Sequence, residues 1–311
     1  MELSLLLAEQ IIGLFLMGLV GFIIVKSGKF KESDSKVISN VVVYICSPCV
    51  IINAFQIDFT PQKVQGLLLA GGAAVLVHVI LIGGGRLLAG PLNLNGIEKA
   101  SVEYSNAGNL IVPLVASVLG EEWVFYTTAY IMVQTVLIWT HGQSVICCSK
   151  DRDIRKILLN PNIIAIGVGI LLFAAGIRLP EAAASCVSGF GGMIGPASML
   201  VVGMIIGDVD LKWVFRQKRP YFICFLRLIV FPVITILVFY VTGMKHLHPD
   251  ANYILMVVLL AASAPAAVMV TQLAQIHDRD SRYASVINIM SVIFCIVSMP
   301  LMVLLYEALI G

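Results

Sequence analysis

Apolar residues run along this chain in blocks too long for alternating strands, and each block ends at a cluster of charged or turn-forming residues. The blocks between those breaks are approximately 5–25, 38–55, 65–85, 99–119, 123–145, 161–178, 187–207, 220–242, 252–274 and 283–307. At roughly 17–25 residues each, they suit helices crossing a hydrocarbon core of about 30 Å and exceed the roughly 10 residues of a barrel strand. The pattern predicts an all-α integral membrane protein with ten transmembrane helices. The first block is expected to stay as a span, because Met1-Glu2-Leu3-Ser4 lacks the basic region that opens a cleaved signal.

Composition agrees with that pattern. Of the 311 residues, 59% are hydrophobic and only 12% charged, with a mean hydropathy of +0.97. Such a chain has too little polar surface to cover a soluble domain of this size. The net charge of +2 matters less than where the charges lie. The loops near residues 30, 90, 153, 216 and 280 hold sixteen of the twenty Lys and Arg. The alternate loops hold Lys63, Arg178 and Lys245, and Arg227 falls inside a span. Basic loops stay in the cytoplasm, so both termini are expected on the non-cytoplasmic side of a cell membrane, plasma or inner. The seven cysteines show no metal-ligand spacing and read as small apolar residues.

Five spans fall in each half, and five is odd, so the second half must enter the membrane from the opposite side. The expected division is a first repeat over 1–146, a short cytoplasmic linker over 147–160 and a second repeat over 161–311, forming two inverted five-helix repeats. Matching landmarks support the relation. Pro48 in the second span precedes Pro113 in the fourth by 65 residues, and Pro196 in the seventh precedes Pro265 in the ninth by 69.

Polar residues inside the spans single out a site. A proline orphans the carbonyl four residues before it, Asn109 for Pro113 and Ala261 for Pro265. In hydrocarbon such a group must find a partner, so the breaks are expected to face a cavity or each other. Gly108 would let the backbone unwind, while Asn106, Asn109 and Ser263 offer polar side chains beside the breaks. Fresh helix N-termini at such breaks would favour an anion. Arg227 either grips a carboxylate or snorkels to headgroups. Gln134 and Asn288 either line the cavity or bridge helices. Glu103 is a candidate proton-coupling carboxylate or a partner of Lys99, and His78 and His141 are candidate titrating groups or structural histidines.

Asn106-Ala-Gly-Asn-Leu-Ile-Val-Pro113-Leu114 resembles the fourth-span motif of the auxin efflux carrier family. Ser263-Ala-Pro265-Ala-Ala-Val-Met-Val-Thr271 resembles its second crossing segment, and Leu159-Asn160-Pro161-Asn162 and Met299-Pro300-Leu301 also fit. The resemblance implies that spans four and nine cross at the prolines. It further implies a scaffold of spans one, two, six and seven, which forms a homodimer, and a mobile transport domain of spans three to five and eight to ten. The short linker is similar to that of compact prokaryotic members, whose substrates are small carboxylates. Ala266 stands where plant members carry Gln, which argues against auxin itself.

The expected function is therefore a secondary transporter of small organic anions such as malate, malonate or auxin-like acids, working by elevator-type alternating access. With no phosphate loop, zinc spacing or nucleophile motif, neither an enzymatic activity nor a cofactor or metal is expected, and the basic loops call for lipid rather than nucleic acid. The alternative is a sodium-coupled bile-acid or organic-anion symporter of similar architecture.

Overall fold

A computed structural model describes residues 2–147 and 158–311, so most of the expected linker lies outside the described residues. The described chain is helical, its sole strand-like feature being an isolated bridge at Ser105 and Ala266. Helices α1 (Glu2–Lys26), α2 (Ser35–Ala54) and α3 (Pro61–Ala89) come first. The fourth segment is split into α4a (Gly96–Glu103) and α4b (Val112–Val118), the latter entered through a wide π-turn at Ala107–Ile111. Helix α5 (Glu121–Leu137) continues through a second π-turn, Ile138–Gly142. Then follow α6 (Pro161–Ala175), α7 (Glu181–Asp208), α8 (Lys218–Thr242), the halves α9a (Ala251–Ser263) and α9b (Val268–Ile276), and α10 (Ser281–Leu309).

Of the described helices, α2, α3, α7, α8 and α10 are long and apolar enough to cross a membrane by themselves. Helices α6 and α9a are apolar but shorter, at 15 and 13 residues, and the fourth segment is interrupted. Their ends are set by ordinary capping chemistry. Thr60 accepts a hydrogen bond from the Lys63 N–H with Pro61 at the first turn of α3. Asn95 and Glu98 form a reciprocal capping box on α4a. Gly176 closes α6 in the left-handed region, at φ +64°, where a Cβ would be strained.

Packing sorts the helices. Helix α1 lies along α7 so closely that the backbones of Gly18 and Gly203 touch, and a side chain at Gly203 has no space. Helix α2 packs against α6 and α7, where Gly169 makes room for the buried ring of Phe55. Elsewhere α3 packs on α5 and α9a, and α10 on α8 and α9b. Helix α9a, the most enclosed element, has every residue from Ile254 to Ser263 buried. A helix apolar all round belongs in the middle of a bundle.

Candidate functional site

The two interrupted segments meet at their breaks. Tyr104 leaves α4a in an extended conformation, and Ala264 does the same after α9a. There the two chains pair as a minimal antiparallel ladder. The Asn106 N–H donates to the Pro265 carbonyl at 2.8 Å, and the Ala267 N–H to the Tyr104 carbonyl at 3.0 Å. Each break thus supplies part of what the other has lost. The first interruption lies at Tyr104–Asn106, ahead of Pro113 rather than at it. Pro113 sits in the first turn of α4b, where its missing N–H costs nothing. Pro265, by contrast, lies inside the second interruption.

Side chains satisfy the remaining backbone groups. Gln134 of α5 spans Ser105: its Oε1 accepts from the Ser105 N–H at 3.0 Å and hydroxyl at 2.7 Å, and its Nε2 donates to the Ser105 carbonyl at 2.8 Å. On the other side, the Ala266 N–H donates to the Ser291 hydroxyl at 3.0 Å, and Asn288 Nδ2 donates to the Ala266 carbonyl at 2.6 Å. Arg227, 1% exposed, donates from Nη1 to the Val102 carbonyl at 2.9 Å and from Nε to the Ala264 carbonyl at 3.1 Å. These contacts are what a buried, non-helical stretch of backbone requires.

A cavity of about 470 Å³ ends at this crossing. Its inner wall includes Ser105, Asn106, Gly108, Ala267 and Val268, the starts of both second halves. Gln134 and Asn288 contribute to the same wall. From there it reaches Lys36 and Arg282, which are the charged residues among its described lining and are both basic. Arg282 is braced over the Trp213 ring at 4.1 Å. A second cavity, of about 310 Å³, lies toward the opposite ends of the helices, between Asn53, Glu121, Gly191 and Pro196.

A family model described as membrane transport protein matches residues 6–151 and 145–303. The chain belongs to this family. It is the family of the auxin efflux carriers that the sequence resembles, and the protein is accordingly a multi-pass membrane transporter. The carrier is similar to a protein of Methanothermobacter thermautotrophicus described as an uncharacterized transporter. The two are 23% identical over 308 residues, which cover 94% of this chain and 96% of that protein.

The other residues singled out by sequence fall around the carrier's crossing in different ways. Asn106 is at the cavity wall, whereas Ser263 and Pro265 are buried behind it. The side chains of Asn109 and Pro113 lie outside the described residues. Arg227 is not among the cavity-lining residues and engages backbone instead. Glu103 is fully buried one residue before the break, its Oε2 3.5 Å from His141 Nδ1 and its other oxygen against Gly85. The Tyr104 hydroxyl lies 2.9 Å from that same histidine nitrogen. His78 is also buried, with Nδ1 2.7 Å from the Ala74 carbonyl and its ring 4.8 Å from that of Tyr130.

Participants that escape a reading of the sequence for polar residues in spans include Ser105, Ser291, Lys36 and Arg282, and Thr135, Ser198 and Gln272 of the cavity wall. Ser291 could have been found, since it lies one turn from Asn288 on the same helix face. The two cations read only as topology charges, because nothing local shows that the first turns of α2 and α10 open onto a cavity.

Proposed function

We propose that this carrier is a secondary transporter of small organic anions, operating by elevator-type alternating access. The carrying observation is the cavity at the crossing: it is walled by the starts of two half-helices and flanked by basic side chains alone among its described charged lining. Helix N-termini present unpaired N–H groups and partial positive charge, so an anion gains affinity there without a buried cation of its own. The volume is ample for a small carboxylate such as malate or malonate.

In this reading the chain crosses the membrane ten times as two inverted five-helix repeats, with its basic loops and the larger cavity facing the cytoplasm and both termini outside. Helices α1, α2, α6 and α7 form the scaffold and carry a homodimer contact, while α3–α5 and α8–α10 move as the transport domain. Substrate binds at Asn106, Asn109, Gln134 and Asn288, between the two breaks, with Pro113, Pro265 and Ser263 shaping the backbone around them. Glu103, facing His141, is the candidate proton carrier, with His78 a second candidate.

Reconstitution into liposomes tests the site. Uptake of labelled malate, malonate and indole acetate is expected for at least one of these acids. Asn106→Ala should lower it by roughly tenfold, the loss of one or two hydrogen bonds to a charged ligand. Undiminished uptake by Asn106→Ala, together with Asn109→Ala, would remove the crossing as the binding site.

A further inference from the structure

The guanidinium of Arg227 is deeply buried, yet among the described residues no carboxylate pairs with it. The side chains beside it, Tyr130, His78 and Cys295, are ones that are neutral in their usual state. An uncompensated charge in such a place would be prohibitively unstable. Its compensation is in the backbone. The two carbonyls it holds, those of Val102 and Ala264, stand at the C-terminal ends of α4a and α9a. A helix macrodipole places roughly half a negative charge at such an end. Two ends converging on one guanidinium therefore supply about one negative charge, which is the amount the side chain needs.

Unwound carbonyls and half-helix C-termini at a midplane break also form the environment in which membrane carriers hold a coupling cation such as sodium. Here the covalent chain fills that environment. We propose that Arg227 is the resident cation of the crossing, occupying the place of a coupling ion, so that this carrier binds no alkali cation between α4a and α9a. The inference deepens the transport reading by fixing what does not accompany the substrate. Its support is independent of which anion is carried.

The test uses the purified full-length carrier in detergent, without any organic anion, so its outcome is separate from that of the uptake assay. Binding of radioactive sodium and thermal unfolding in sodium chloride against choline chloride at equal ionic strength are measured on the wild-type protein. No saturable binding and superimposable unfolding curves are expected; saturable sodium binding with a matching rise in unfolding temperature overturns the proposal. Arg227→Lys, which keeps a cation, should unfold closer to wild type than Arg227→Gln, which should lose roughly 5 °C or more. Sodium or guanidinium at millimolar concentration should restore part of that loss in Arg227→Gln and shift neither the lysine variant nor wild type. If the glutamine variant equals wild type and ignores cations, the charge is not what joins the two helix ends. Should neither variant fold, the sodium measurements on wild type decide alone.

Discussion

The two breaks pose the same physical problem and solve it with different side chains. Ser105 is held at both its N–H and its carbonyl by one residue, Gln134. Ala266 is held by two, Ser291 at the N–H and Asn288 at the carbonyl. At the break itself the first segment brings the polar Ser105 and Asn106 to the cavity, while the second brings Ala267 and Val268, with Thr271 and Gln272 following along α9b. The contrast is one of placement: the first break sets polar side chains at the crossing itself, whereas the second sets small apolar ones there and keeps its polar residues farther along α9b. The apolar start of α9b still contributes its helix N-terminus, which carries charge without a polar side chain.

Concentrating two backbone partners in one residue makes the first break the more fragile. Gln134→Leu leaves a buried N–H and a buried carbonyl unpaired. At about 1–3 kcal/mol for each, the expected loss of stability is roughly 2–6 kcal/mol. Asn288→Leu orphans only the Ala266 carbonyl and should cost roughly 1–3 kcal/mol on the same scale. Thermal or denaturant unfolding of the two variants side by side measures the ratio. Equal losses would mean that the breaks share their load and that the contrast is only one of sequence.

A second asymmetry lies at the first turn of α4a. The Glu98 carboxylate receives Arg219 Nε at 2.9 Å and the Tyr283 hydroxyl at 2.7 Å, tying α4a to α8 and α10. Burial pushes its carboxyl up, but the bonds from Arg219, Tyr283 and the Asn95 backbone together hold it below the usual value. A depressed native value means that the unfolded chain binds this proton more readily. The stabilisation is thus complete above the unfolded value, near pH 4.3, and fades as pH falls through the lower native one. Glu98→Gln should therefore lower the unfolding temperature at pH 7 and flatten its decline in acid. An unchanged acid limb would show that the clamp does not differ between native and unfolded states. The expected size, about 1–2 kcal/mol for charge-assisted bonds partly replaced by an amide, is below that of Gln134→Leu.

How much of this the sequence carries depends on whether a feature is local. The long apolar rods α3, α8 and α10 were legible because composition and length alone decide them, and the helix boundaries follow caps such as Thr60 and Asp280. The second interruption was legible because Pro265 causes it. The first was placed at Pro113, yet it forms at Ser105, where no residue forbids a helix. Its cause is distant in sequence: the Tyr104 carbonyl and Asn106 N–H are taken by Ala267 and Pro265. Gln134 and Asn288 could be nominated as buried amides, but their task of replacing a helix's own hydrogen bonds depends on which carbonyls come within reach. Arg227 was legible as costly and not as compensated, because its counter-charge comes from backbone dipoles that have no letter in the sequence.

The finest test of the contrast is a pair of hydroxyl deletions. Both serines touch their break, but in opposite senses. Ser105 Oγ donates to Gln134 at 2.7 Å and lies 3.5 Å from the Tyr130 hydroxyl, so Ser105→Ala removes only these side-chain contacts and orphans no backbone group. Ser291 Oγ is itself the acceptor for the Ala266 N–H and donates onward to the Asn288 carbonyl. Ser291→Ala therefore strands a buried N–H, at roughly 1–3 kcal/mol, whereas Ser105→Ala should cost about 1 kcal/mol or less. Unfolding measurements on the two single variants and the Ser105→Ala/Gln134→Leu double variant settle the ordering. The double variant should lose little beyond Gln134→Leu alone, because the serine's bond has already gone with the glutamine. A larger loss for Ser105→Ala than for Ser291→Ala would reverse the assignment, making the hydroxyl rather than the amide the support of the first break.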